Sequence, residues 1–426
     1  MFKKLLILFM ALCLLPLAAS AQEEAPFVRT ASFAIPSLWG GQYASLPLDE
    51  RWFASDPASY HHGLARISLA MAVSAFRSKA NQPDAPIRSF FSQLGFAEST
   101  GRAGLPALCT WDFSAASSDT VGTAIAWRYI NCFEAPVPLI AVAVSGGDYG
   151  GEWHSNLNLG LSGDHHGFSR AADRVLERIA EFEIAQGLDG ESCVYWLSGF
   201  GRGGAVCNLA AAKLSRLGAV FCYTFASPRT TVSSLGKSMP GIFNIVSAAD
   251  PICRLPFAAW GFSRFGRDVY LPSSRGNHPD YAALLAQYSH VFYQFSGQTD
   301  AAGDMGLSIM ADAAEQALLD AASSREAFQN NDRPALSSLL SGQTPLSKGG
   351  LRVLSLLNKL SAAVRPYRSY PLPPSPAGAS LGILTSKELA VLYAQHDPAV
   401  YASWLLALPG GEEIEKSSLS SPAFSR

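Results

Sequence analysis

Residues 193–198, Cys-Val-Tyr-Trp-Leu-Ser, run into Gly199-Phe200-Gly201-Arg202-Gly203-Gly204 and then into Ala205-Val206-Cys207-Asn208-Leu209. The first stretch is short and apolar, which reads as a buried strand; the last opens a helical pattern that buries Ala205, Val206, Leu209 and Leu214 and stops at Gly218. Small residues dominate the turn between them. Gly199 and Gly203 let strand and helix pack closely, and Gly204 leaves the turn uncrowded. Such a turn presents a side chain above a sheet, cradles a phosphate, or simply packs. No Lys-Ser/Thr pair follows it, and G-x-G alone is a weak sign of a nucleotide loop.

The spacing Gly199-x-Gly201-x-Gly203 is that of the nucleophile elbow, G-x-S-x-G, with glycine at the centre. The flanking segments add to it. They resemble the class 3 (fungal-type) lipase family, in particular exported members from anaerobic bacteria. The family elbow reads G-H-S-x-G-G-A against Gly199 to Ala205 here. Tyr223-Thr224-Phe225-Ala226-Ser227-Pro228-Arg229 is similar to T-F-G-x-P-R. Asn244-Ile245-Val246-Ser247-Ala248-Ala249-Asp250-Pro251 is similar to N-x-x-D-x-V-P. Residues 140–144 with Ser145-Gly146-Gly147 stand where the family has a strand ending in R-G-T. Glu152 to Asn156 and His166-Gly167-Phe168 are also family-like. The resemblance covers roughly residues 58–270 and reaches a C-terminal histidine block more loosely.

The resemblance implies an α/β-hydrolase: a doubly wound, mostly parallel sheet with a C-terminal helical insertion or lid. It also implies site residues. Gly201 takes the nucleophile position, Asp250 the triad acid, and His396 the base. Leu389, Leu392, Tyr393 and His396 share a helical face at i, i+3, i+4 and i+7, and the block resembles a late H-x-P-x-x-Y. His290, in Ser289-His290-Val291-Phe292, is the alternative and reads as a strand histidine. Arg202 N–H and the Gly146-Gly147 loop would supply the oxyanion donors, with Gly147 in place of a family threonine. Phe200 replaces the family histidine before the nucleophile, which fits drift or repurposing. Ser198 lies on the strand with a different facing and is a poor substitute nucleophile.

The chain has 426 residues, 48% hydrophobic and 15% charged, with net charge −2. That suffices for a hydrolase domain with an insertion and gives no electrostatic case for nucleic acid. Lys3-Lys4, the apolar run 5–17 and Ala19-Ser20-Ala21 read as a secretory signal peptide cleaved after Ala21, so a secreted or extracytoplasmic protein is expected. Of the remaining cysteines, Cys193, Cys207 and Cys222 read as buried thiols, Cys253 carries no pairing prediction, and Cys109–Cys132 is the candidate bridge. No His/Cys spacing suggests a metal, and no cofactor is expected.

Four buried parallel strands are expected at 139–144, 193–198, 220–226 and 243–248, with helices at 168–186 and 204–217. Residues 22–55 read as an extended lead-in to a helix burying Leu64, Ile67, Leu69, Ala70 and Met71. The division expected is signal peptide 1–21, core 22–301, helical insertion or lid 302–384 (with helices at 305–322 and 351–364 and a Pro-rich crossing at 366–376), a core helix 385–409 carrying His396, and a flexible tail 410–426.

Three functions fit. One is a secreted lipase-like protein of the carboxylic-ester or triacylglycerol hydrolase type, degenerate because serine is replaced at Gly201, with an acyl ester or lipid-like partner and contact with a lipid surface. The second is an active esterase with a non-standard nucleophile. The third is a cell-surface binding or scaffolding module.

Overall fold

The computed structural model describes residues 27–37, 42–78, 81–96, 104–114, 117, 119–146, 153–156, 158–160, 163–233, 239–273, 280–297, 307–321 and 394–409. A two-stranded antiparallel hairpin, β1 (Val28–Ile35) and β2 (Gln42–Asp49), replaces the expected extended lead-in. Alternation along β1 buries Ala31, Phe33 and Ile35 on one face, the pattern of a half-covered strand.

The main sheet has seven strands in sequential order: β3 (Leu108–Trp111), β4 (Thr123–Ile130), β5 (Val137–Val144), β6 (Val194–Phe200), β7 (Ala219–Phe225), β8 (Ile242–Val246) and β9 (Arg267–Tyr270). β3, β4 and β5 pair antiparallel; β5 to β9 run parallel. The parallel strands are near-continuous apolar runs because helices cover both faces. One face receives α3 (His166–Gln186) and α4 (Arg202–Leu214), whose Phe168, Ala172, Val175, Ile179, Ala205 and Leu209 join Ile140, Val142 and Leu197 in one core. The other face receives α1 (His62–Ser74), and α2 (Ala85–Gln93), α5 (Tyr281–Ser296) and α7 (Pro398–Ala407) join the same core around α1 and the hairpin. Helix α6 (Leu307–Ala321) follows α5. This layered architecture is that of the α/β-hydrolases.

α1 is apolar almost all round and is buried on nearly every side, as a helix sandwiched between layers must be. Ser68 on it accepts from Trp196 Nε1 at 2.7 Å and, through its carbonyl, from Ser198 Oγ at 2.7 Å. Its His62 and Arg66 donate to carbonyls of Leu405, Leu406 and Leu408 at the C-terminal end of α7, satisfying groups that helix leaves unpaired.

Several sequence expectations need correction. His290 lies in helix α5, not a strand; it is exposed and hydrogen-bonded to Gln294. Cys109 and Cys132 are free. Cys109 sits opposite Ile125 in the β3–β4 register, and Cys132 lies seven residues further on, two past the end of β4, well out of reach of a disulfide. The helix after the turn ends at Leu214, four residues before Gly218. The expected signal peptide, the helix at 351–364, the Pro-rich crossing and the tail lie outside the described residues. Among the described residues no helix is long and apolar enough to cross a membrane.

A buried polar network ties α4 to β7, β8 and β9. Asn208 Nδ2 donates to Asn244 Oδ1 (2.9 Å) and Phe265 O (2.8 Å), and Asn208 Oδ1 accepts from Thr230 Oγ1 (2.7 Å) and Phe265 N (3.1 Å). Asn208→Ala takes the acceptor from the buried Thr230 hydroxyl and the Phe265 N–H and is expected to cost about 3 kcal/mol. A lowered urea midpoint at unchanged denaturant slope checks this; an unchanged midpoint contradicts it.

Candidate active site

The site sits where β6 ends, at the carboxyl edge of the parallel strands, where open α/β sheets bind ligands. Gly201 caps α4 with φ 54° and ψ −122°, a conformation that costs an L-residue of order 1–3 kcal/mol. Its N–H donates to Phe225 O at 2.8 Å, and its carbonyl accepts from Ala205 N at 3.1 Å, so both neighbouring strand and helix hold the turn. The elbow's flanks are as tight as the sequence suggests: a Cβ on Gly199 would lie 2.4 Å from the Gly203 carbonyl group.

Asp250 follows β8 in the turn 247–251 and is wholly buried. Its Oδ1 accepts from Ile252 N at 2.8 Å. Its Oδ2 accepts from His396 Nδ1 (2.8 Å), Tyr401 OH (2.7 Å) and the Cys253 thiol (3.4 Å). Burial alone raises the Asp250 pKa; the His396 charge and hydrogen bond, the Tyr401 hydroxyl and the Ile252 N–H outweigh it and hold the carboxyl below its ordinary 3.8. Burial, with the Asp250 charge beside it, pushes Tyr401 well above its usual value, so its hydroxyl stays a donor.

His396 stands in the turn just before α7, its imidazole against the Phe200 ring at 5.2 Å between centroids. With Asp250 ionised, its Oδ2 accepts from Nδ1, which fixes the ring's orientation. Nε2 faces Gly201: a Cβ built there would lie 3.1 Å from Nε2, with Gly146 O next at 3.7 Å after the ring's own carbon. The structure therefore brings Gly201, Asp250, His396, Phe200 and Gly146 together. Gly147 lies outside the described residues. Arg202 begins α4, so its N–H opens the helix beside Gly201, while its buried guanidinium donates to Ser155 Oγ at 3.2 Å. Ser198 Oγ donates to Ser68 O and to Tyr223 O, and it is wholly buried.

Two supporting groups escaped sequence reasoning. Tyr401 was legible as part of the histidine block, but its bond to Asp250 was not. Arg254 donates to Ala248 O in the acid turn and to Asp312 (2.7 Å) and Glu315 (2.8 Å) on α6, tying that helix to the loop that carries Asp250. Only three-dimensional proximity reveals that link, since 58 residues separate Arg254 from Asp312.

Residues 160–260 match the model of the family described as Lipase (class 3). This segment is class 3 lipase-like. It holds the elbow, β7, β8 and Asp250, about a quarter of the chain, and ends before His396. No curated protein matches. Among solved structures, the Rhizomucor miehei lipase–propeptide complex is 17% identical, over 50% of this chain and 72% of that one, at TM-score 0.33. The Rhizomucor miehei triacylglyceride lipase is 18% identical, over 49% and 78%, at 0.33. A lipase from Rhizopus microsporus var. chinensis is 15% identical, over 35% and 57%, at 0.26.

Proposed function

We propose that this protein is an exported, lipase-like protein that binds a carboxylic ester or related acyl compound at the elbow and forms no acyl-enzyme. The observation that carries this reading is the pairing of Asp250 with His396, whose Nε2 is aimed at a residue held in elbow geometry that has no side chain to offer. In the serine mechanism the hydroxyl attacks, the histidine takes its proton, the aspartate orients the histidine, and N–H donors hold the oxyanion. Here Asp250 and His396 fill the last two side-chain roles, and Arg202 N–H at the start of α4 fills a donor role. The attacking oxygen is missing, a deficit on the order of 10⁶ in rate when it is deleted from a working site.

Binding is the property that survives such a change. Titrating the protein with a non-hydrolysable alkyl ether analogue of a glycerol ester should give saturable heat with a Kd of about 1 μM to 1 mM. Absence of saturable binding to alkyl ether analogues of short and long chain would remove the reading.

A further inference from the structure

We propose that Arg254 is a positioning residue for the Asp250–His396 pair and that helix α6 controls it. The carboxylates of Asp312 and Glu315 orient the Arg254 guanidinium, the guanidinium clasps the acid turn shut, and ionic strength thereby sets how firmly the pair is held. This coupling needs no bound ester and is independent of the ester-binding reading.

Three observations support it. The first is a closed loop. Arg254 lies six residues after Ala248, and its Nε (3.0 Å) and Nη2 (2.5 Å) both donate to the Ala248 carbonyl, so the side chain bridges the two ends of the segment that carries Asp250. The second is charge. The remaining arm, Nη1, meets Asp312 Oδ1 at 2.7 Å and Glu315 Oε2 at 2.8 Å, both on one turn of α6. A guanidinium is planar and rigid, so fixing Nη1 also fixes the edge that Nε and Nη2 present. Arg229 brings a second cation to Glu315 at 3.8 Å, and its Nη1 donates to the carbonyls of Arg254 and Pro256 at the root of the clasp. The third is the slightness of the apolar docking. Among the described side chains of α6, the buried apolar ones are Leu307, Ala311 and Ala314, a narrow stripe at i, i+4 and i+7, while Ile309 is exposed.

Two braces hold the acid turn, and they differ in kind. From α7, Tyr401 donates to Asp250 Oδ2, and both side chains are wholly buried, out of reach of dissolved ions. From α6 the brace is ionic, and Asp312 and Glu315 are 31% and 20% exposed, so ions reach it. Raising salt from about 0.01 M to about 1 M shortens the screening length from about 30 Å to about 3 Å, which weakens the hold of α6 on Nη1. Arg254 then turns toward water, the Ala248 carbonyl loses two donors, and the segment around Asp250 opens more often. Because that carboxylate accepts from His396 Nδ1 and from Ile252 N–H, each opening breaks both bonds and exposes their hydrogens to exchange.

The test uses the full chain and isotope-edited NMR. It reads the exchange of the two hydrogens bonded to the Asp250 carboxylate, His396 Nδ1–H and the Ile252 amide, with the β6 amides as reference; His396→Gln assigns the imidazole signal. In wild type both should exchange about tenfold faster at about 1 M than at about 0.01 M potassium chloride, relative to β6. In the double variant Asp312→Asn/Glu315→Gln, which keeps the side-chain shapes on α6 and removes their charge, exchange should already be about tenfold faster at low salt and gain little from more. Arg254→Lys keeps the charge and loses the fork, and should behave like the double variant. Near-UV circular dichroism selects variants that fold, and the salt series on wild type needs no variant at all. Exchange that ignores salt in wild type, or that stays at the wild-type rate in the double variant, overturns the coupling. So does an Arg254→Lys protein that matches wild type, or an acceleration that extends equally to the β6 amides, which marks a general loosening.

Discussion

Gly201→Ser is expected to raise ester hydrolysis by at least about 100-fold over wild type while lowering stability by about 1–2 kcal/mol. Both effects come from one geometry. The backbone at residue 201 keeps φ 54° and ψ −122°, which glycine adopts freely and an L-residue only under strain. A hydroxymethyl group added there meets His396 Nε2 close to its Cβ, so the imidazole must give by a few tenths of an ångström. It is braced by Asp250 through Nδ1, so the shift is a pivot that keeps the pair intact. The gain stays below the order of 10⁶ that a complete triad commands, because Phe200 and Gly147 also differ from the class 3 lipase pattern that the sequence resembles. The ratio of kcat/KM with p-nitrophenyl butyrate and the urea midpoint read the two effects together. A folded variant with no gain would mean that the acid and base no longer act on residue 201. A gain without loss of stability would mean that the elbow is not strained.

Acid should destabilise the fold by several kcal/mol between pH 6.5 and 4. Two buried histidines cause it. Burial chiefly, with Arg66 and His61 nearby, lowers His62 from 6.5 to about 4. Burial chiefly, with Arg202 and His166 nearby, lowers His165 from 6.5 to about 3. Both work as neutral rings: His62 accepts from Tyr60 OH and donates to Leu405 O, and His165 accepts from Phe168 N and donates to Asn156 O. In the window between the folded and unfolded values the unfolded chain holds protons that the folded chain does not. Stability is therefore full above about pH 6.5 and falls as pH drops through the window, for His165 continuing to about pH 3. Asp250, held below 3.8, adds its own loss lower still. Glu183 is raised by burial and acts in the opposite sense, contributing stability that is lost as pH rises through its folded value. Melting temperature against pH for wild type, His62→Gln and His165→Asn checks the account. The variants should show a shallower acid slope than wild type, whatever their stability at neutral pH; equal slopes contradict the assignment.

The parts of this fold that could be read from sequence are those where burial makes the pattern unambiguous. β5 to β8 are apolar runs between turn residues, and the elbow glycines announce a close strand–helix crossing. β4 and β9 were missed because Thr123–Ile130 and Arg267–Tyr270 mix charge and aromatic residues, as strands near a sheet's margin do. His290 was misread because Ser-His-Val-Phe is too short a window to tell strand from helix, while the wider run 281–296 places Leu284, Tyr288, Phe292 and Phe295 on one helical face. In the site, Gly201, Asp250 and His396 were nameable because each lies in an ordered motif. What braces them was not: Tyr401 on Asp250 and Arg254 on α6 are contacts between segments distant in sequence, set by the packing of α7 and α6 on the acid turn.

The most direct measurement of the central claim is the intact mass of the wild-type protein after exposure to a long-chain fluorophosphonate, with Gly201→Ser beside it. The account predicts an unmodified wild type and one adduct on the folded variant. A stoichiometric adduct on wild type would show that a side-chain nucleophile already operates, and would contradict the claim that the elbow's base faces a residue with nothing to activate.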